Sequence, residues 1–338
     1  RGDNQLVREG DILISTANSN NLVGKCCYVP RLSYLATLGG FIAAARAKSP
    51  QLHPRFLYYW LSSLPIQKRL RGLARQTTNI SNLPLTDVAK EPVPVPRLPE
   101  QARLVKLLDE ADELRKLRAQ ADQRTGVLIS AIFYEMFGDP ATNRLKQPVN
   151  QLERICKVMG GGTPSKKVPS YWNGKIPWVS PKDMSGEEIH SSEDHISEDA
   201  VKQSSTNLIP AGAVLIVTRS GILKHTLPIA INSVPVTINQ DIKAFIPNAD
   251  CDTVFLAAHL RMMAPTILNM VRVGATVQNL ETEALKQLKV LCPPLSKQRE
   301  FASRVREARL MQSNQADSHK RLDDLFQSML HRAFNGEL

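Results

Sequence analysis

The stretch GGGTPSKKVPSYWNGKIPWVSPKDM (Gly160–Met184) concentrates residue types that could do chemistry. Glycines followed by lysines can cradle a phosphate, because backbone N–H groups and an ammonium converge on the anion. The spacing does not match that use. Gly160 to Lys167 departs from G-x-x-x-x-G-K-[ST], Pro164 sits inside the loop and no helical pattern follows. Other catalytic patterns are missing as well. No dinucleotide fingerprint follows a strand. The seven histidines show no H-E-x-x-H or paired-ligand spacing. There is no G-x-S-x-G elbow. The nearest match to an Asp/Asn-Pro-Pro-Tyr/Phe loop of amino-methyltransferases is CPPL (Cys292–Leu295), without the polar first residue or the aromatic. The five cysteines form no C-x-x-C pair, which argues against a zinc site and for reduced thiols. These residues read as a binding protein, not an enzyme.

Charge points to the ligand. Forty-three basic and 32 acidic residues give a net charge of +11. A polyanionic partner follows, nucleic acid first and a membrane surface second. The longest apolar run, Leu35–Ala45, is too short to span a bilayer. With no basic-then-apolar signal at the start, a cytoplasmic location is expected. Candidate nucleic-acid contacts in the second half are Lys166, Lys167, Tyr171, Trp172, Lys182, Asp183, Arg219, Ser220, Lys224, Arg272 and Gln278. In the first half they are Arg69, Arg71, Arg75, Gln76, Thr77, Thr78 and Asn79. All are expected on loops near strand ends, where side chains reach base edges or phosphates. Trp172 and Trp178 are also expected to anchor their loop, and Gly160–Gly162 to permit a tight turn.

The elements that position these residues occur twice. LVREGDILIST (Leu6–Thr16) aligns with LIPAGAVLIVT (Leu208–Thr218), each ending in an apolar strand. FLYYWL (Phe56–Leu61) aligns with FLAAHL (Phe255–Leu260), and Asn82-Leu83 with Asn279-Leu280. VPRLPEQARLV (Val95–Val105) aligns with CPPLSKQREFA (Cys292–Ala302). A Pro-rich strand end then leads each time into a long segment of helix formers, about Glu100–Met136 and Lys297–Ala333. Pro99 stands just before the first helix, and Ser296 is the expected N-cap of the second.

Each helix has an apolar stripe with a polar waist: Arg115, Arg118 and Asp122 in the first, Gln312, Gln315 and His319 in the second. Packed antiparallel, apolar ends and polar waists would match. The first helix holds six basic and seven acidic residues, the second eight and five, which leaves +9 for the globular parts. Phosphate-contacting surface is therefore expected there. The domain plan is 1–99, 100–138 (helix), 139–296 and 297–338 (helix). The fold class is α+β: two similar globular domains of mixed or antiparallel β with short helices, separated by two long antiparallel helices about a pseudo-twofold axis.

GG-T-P-S, Tyr-Trp-x-Gly-x-Ile-Pro-Trp and a P-x-L-x-x-Q start to a long helix occur together. In this combination the chain resembles the specificity (S) subunit of Type I restriction-modification systems. PPLSKQREFASRV with SMLHRAFNGEL carries the likeness in the second half, and RLPEQARLVKLLDEADELRKL with FYEMFGDP in the first. The resemblance implies two target-recognition domains, each reading half of a bipartite site in double-stranded DNA. It implies conserved coiled-coil helices that space the domains and bind two modification (methyltransferase) subunits. Those partners would supply S-adenosylmethionine and adenine-N6 methylation, with no cofactor bound by this chain, and motor-nuclease restriction subunits would join for cleavage in phage defence. A helix of ~55 Å, at ~1.5 Å per residue, somewhat exceeds one turn of duplex. A DNA-recognition or adaptor subunit of another phage-defence or modification system is the alternative, and a catalytic methyltransferase or nuclease a third. The first half lacks the GG-T-P-S and Tyr-Trp counterparts, so the repeat leads us to expect roughly 50–60 further residues upstream of Arg1.

Overall fold

The structure, a computed structural model, describes residues 6–77, 80–272 and 277–338. It divides into two units, one formed by residues 1–123 with 313–338 and the other by 124–312. Among the described residues no helix is long and apolar enough to cross a membrane.

The second unit is built on Val214–Val217, four apolar residues buried on both faces. Such a run suits a central strand, since neither side needs a polar residue. It pairs antiparallel with Ile229–Asn232 and with Ile242–Pro247. Cys156–Gly160 adds an antiparallel strand beyond Ile242–Pro247, and Glu188–Ile189 a parallel one beyond Ile229–Asn232. Helix Thr253–Met262 covers this sheet and buries Leu256, Ala257 and Leu260 in its core. Asp252 caps the helix by accepting from the Val254 and Phe255 N–H groups. A second sheet joins Asp194–Ile196, Ile176–Val179 and Thr237–Ile238.

The first unit repeats the central plan. Ile12–Ser15 lies between Cys26–Tyr28 and Ile42–Ala45, with Ile12 opposite Tyr28 and Ala45. In the second unit Val214 stands opposite Ile231 and Phe245. Helix Pro54–Ser62 takes the place of Thr253–Met262. Ala17–Asn18, Ser81–Asn82 and Arg75–Gln76 form a small sheet. Among the described residues its counterpart consists of two bridges, Arg219–Asn279 and Arg272–Asn279. The Leu83 N–H donates to the Thr16 carbonyl at 2.8 Å, as the Leu280 N–H does to Thr218 at 2.7 Å.

The long helices differ from expectation at their starts and in one interior break. They begin at Leu98 and Leu295, so Pro99 lies inside the first turn and Ser296 is no N-cap. Proline is tolerated there because first-turn N–H groups have no helical partner. The first helix ends at Gly126 and resumes as Leu128–Phe137, whereas the second runs unbroken from Leu295 to Asn335. Glycine is a poor helix former, and Gly126 marks the interruption. Among the described residues the Pro-rich segment before Leu98 forms no strand, while Lys289–Leu291 pairs with Val149–Gln151.

Within each unit the helix segments pack antiparallel. In the first, Leu108, Tyr59, Phe326 and Leu330 form one cluster, and Phe56, Leu104, Val105 and Ala333 another. Arg115 pairs with Asp323 at 2.6 Å, and His319 Nδ1 lies 2.7 Å from Asp122. In the second, Phe133, Phe137, Phe255 and Phe301 interlock. Gln312 Nε2 donates to the Thr125 carbonyl.

A buried glutamine fastens each long helix to its own domain. The Gln101 side chain is 0% exposed and that of Gln298 2%. Gln101 Oε1 accepts from the His53 N–H, and its Nε2 donates to the Gln51 and Pro96 carbonyls. Gln298 Oε1 accepts from the Asp252 N–H, and its Nε2 donates to the Asp250 and Pro293 carbonyls. Gln298→Ala strands these backbone groups, at roughly 1–3 kcal/mol per orphaned group. Urea melts of the variant should show a matching drop in midpoint, and an unchanged midpoint would refute the clamp.

His259, wholly buried, stacks its edge against Phe133 and accepts from the Leu291 N–H through Nε2. Burial pushes its pKa from the ordinary 6.5 down to about 3. The unfolded chain therefore binds a proton that the folded chain refuses. Its contribution to stability is full above pH 6.5 and is lost as pH falls towards 3, by at most about 1.4 kcal/mol per unit. Chemical denaturation from pH 7 to 4 should show this slope in the wild type and its reduction in His259→Gln.

Candidate nucleic-acid interface

The glycine stretch is shaped by close backbone approach. None of Gly160, Gly161 and Gly162 has positive φ, so the expected tight turn is not what requires them. Gly160 ends a strand opposite Lys243. A β-carbon on Gly161 would overlap the Ile238 carbonyl, and one on Gly162 would strike Ser205. The Gly162 N–H donates to Ile238 at 3.0 Å, and its carbonyl accepts from Trp178 Nε1 at 2.9 Å. Trp172 packs edge-on against Trp178, its Nε1 donating to the Ser165 carbonyl. Tyr171 donates to Gln203. Both tryptophans thus anchor the loop as expected. Lys166 lies over the Trp172 ring at 5.9 Å, and both Lys166 and Lys167 are exposed.

Several candidates sit on short helices or turns, not on the loops expected from sequence. Tyr171 and Trp172 close a 3-10 turn, Pro169–Trp172, and Lys182 and Asp183 form another, Pro181–Asp183. Asp183 caps the latter, accepting from the Ser180 N–H and hydroxyl through Oδ2 and from the Glu193 N–H through Oδ1. Lys182 is held by Glu193 and Asp194, which raise its pKa. Lys224 ends the turn Gly221–Lys224, whose N-cap is Ser220. Arg69 and Arg71 ride on helix Leu64–Leu73, because Ile66 and Leu70 recur at helical spacing and bury one face. Arg69 also reaches Glu91 at 3.3 Å.

The remaining candidates converge on a strand segment in each unit. Arg75 and Gln76 lie exposed on a short strand beside Ser81–Asn82, and the Thr77 hydroxyl donates to the Ile80 carbonyl. Thr78 and Asn79 fall outside the described residues. In the second unit Arg219 and Arg272 both bridge Asn279, and the Ser220 N–H donates to the Gln278 carbonyl. Arg219 pairs with Asp241 at 2.6 Å, and Arg272 with Glu281 at 2.6 Å. The glycine loop meets the same neighbourhood through Ile238 and Lys243, and Thr163 donates to Gln240 at 2.7 Å. Sequence reasoning passed over Gln240, Asp241 and Lys243 and used Asn82 and Asn279 only as marks of the repeat. The recurrence of Asn-Leu at both places was the available signal.

Two α+β units of one plan each present arginine and asparagine at an exposed β-bridged edge. The family model described as Type I restriction modification DNA specificity domain matches residues 1–123 and 148–307, and the chain belongs to that family. It is 36% identical over 254 residues to the Type I restriction enzyme EcoR124I/EcoR124II specificity subunit of Escherichia coli. That match covers 72% of this chain and 60% of the relative. It is 31% identical over 159 residues to the MjaIX specificity subunit of Methanocaldococcus jannaschii, covering 46% of this chain and 36% of the relative. The chain thus spans less than two thirds of these relatives' lengths.

Two solved structures share the fold. One concerns complex assembly and conformational transition of the type I R-M system, with TM-score 0.68 and 21% identity over 100% of this chain and 85% of that one. The other is the HsdS subunit from Thermoanaerobacter tengcongensis, with TM-score 0.52 and 19% identity over 100% of this chain and 84% of that one.

Two neighbouring glycines should respond differently to substitution. Gly161→Ala overlaps a fixed backbone carbonyl and is expected to lose at least the roughly 1–3 kcal/mol of overpacking. Gly160→Ala meets only the flexible end of Lys243 within 3.4 Å and should cost far less. Thermal melts of both variants test the contrast, and equal shifts would contradict it.

Proposed function

We propose that the chain is the DNA sequence-specificity subunit of a Type I restriction-modification complex in the cytoplasm. Each unit reads one half of a bipartite site in double-stranded DNA. The long helices bind two methyltransferase subunits, which hold S-adenosylmethionine, and motor-nuclease subunits complete the restriction assembly. The chain itself binds no cofactor and performs no methyl transfer. Duplication carries this reading: one strand plan, one glutamine clamp and one polar strand edge occur in both units. Two related heads suit a site made of two separate half-sites.

Positive charge supports the same reading. The parts outside the long helices carry +9, where phosphates would be met. The exposed Lys166 and Lys167 act as phosphate contacts, since neither has an acidic partner among the described residues. Contacts of that kind position the protein without reading bases.

Deleting the gene should abolish methylation at a bipartite motif across the source genome, and sequencing of modified bases reads this directly. An unchanged methylome would overturn the assignment. So would transfer of methyl groups to DNA by the purified chain alone.

A further inference from the structure

The structure holds one arrangement twice that the family assignment does not explain. In the second unit Asn279 stands between Arg219 and Arg272, bridged to both. In the first unit Asn82 stands between Ala17 and Arg75 in the same register. Residues directly opposite across strands point to one face. Both asparagines and all three arginines are exposed.

The chemistry of each row suits base edges. An asparagine amide carries a donor and an acceptor side by side, matching adenine, and an arginine fork matches guanine. Arg219 is held by Asp241, which also accepts from Asn239 Nδ2, and Arg272 is held by Glu281. An acid at one edge of a guanidinium fixes its direction and leaves other N–H groups for a ligand. Arg75 has no acidic partner among the described residues.

A second observation falls at the same place. The residue before each asparagine points inward and is buried, Ser81 at 1% exposure and Gln278 at 4%. Among the described residues neither Ser81 Oγ nor Gln278 Oε1 has a hydrogen-bond partner. Unpaired buried polar atoms are rare in folded chains and mark places not shaped for stability alone. Here two occur at equivalent positions of a duplicated fold, each one residue from the asparagine.

Resting on the DNA-specificity reading, we propose that these rows are the base-reading elements. Asn279 with Arg219 and Arg272 reads one half-site, and Asn82 with Arg75 reads the other. Ala17 stands where the second unit has Arg219, so the first row is one donor fork shorter. The two half-sites therefore differ in sequence at the base pair that Arg219 meets.

Selection of bound duplexes from a randomised DNA pool by the purified full chain tests this. Asn279→Ala should weaken a base preference by about 5- to 150-fold in one half of the selected motif, the discrimination of one bidentate contact. The other half should persist and show that the protein is folded. Asn82→Ala should do the reverse. Ala17→Arg should add a guanine preference to the half that Asn82→Ala weakens, a gain that unfolding cannot mimic. Uniformly weaker binding with an unchanged motif in these variants would make the rows phosphate contacts and overturn base reading, leaving the DNA-specificity assignment standing. A wild-type chain that enriches no motif would overturn both.

Discussion

In each half of this chain a buried glutamine amide ties three backbone groups to the start of a long helix. Gln101 joins Gln51, His53 and Pro96, and Gln298 joins Asp250, Asp252 and Pro293. An amide is suited to this because it both donates and accepts, so it can satisfy carbonyls and an N–H from segments with no ladder of their own. Inside the protein those bonds are strong, and each would be expensive to leave unmade. The clamp fixes the first turn of the long helix against the start of the domain helix. The apolar stripe then falls into place. Leu104 and Leu108 meet Phe56 and Tyr59 in one unit, and Phe301 and Val305 meet Phe255 in the other.

Beyond the clamp the two units use different chemistry on one plan. The first adds charge and aromatic faces. Arg55 pairs with Asp109 at 2.7 Å and lies over the Tyr28 ring at 4.6 Å, while the Tyr59 hydroxyl donates to Asp109. The second relies on four interlocked phenylalanines and on Arg309, which pairs with Glu187 and Glu188. A shared backbone thus tolerates divergent side chains wherever volume and hydrogen bonding are kept. Divergence at the exposed strand edge is of the same kind: Ala17 stands opposite Asn82 where Arg219 stands opposite Asn279.

Net charge overstates the freedom of the positive groups. Arg69, Lys182, Arg219 and Arg272 all have carboxylate partners. Exposed pairs of this type add little stability, since solvent screens them and ordering long side chains costs entropy. Their effect is on direction: a paired guanidinium points one way. Among the described residues Lys166 and Lys167, by contrast, have no carboxylate partner.

The sequence by itself determined the duplication, the α+β class, the long helices and their polar waists. These follow from local signals: apolar period, helix formers and repeated strings. The P-x-L-x-x-Q start was visible, but its role was not, because Gln101 bonds to residues about 50 positions away. The break at Gly126 was not foreseen, and the second helix starts at Leu295 ahead of the expected Lys297, since neighbouring turns decide where a helix ends. Gly161 read as a turn residue until the fold brought the Ile238 carbonyl against it. Only tertiary structure paired Arg219 with Asp241 and set Asn82 beside Arg75 and Asn279 between Arg219 and Arg272. Those facts depend on strand register across distant segments, which no local pattern encodes.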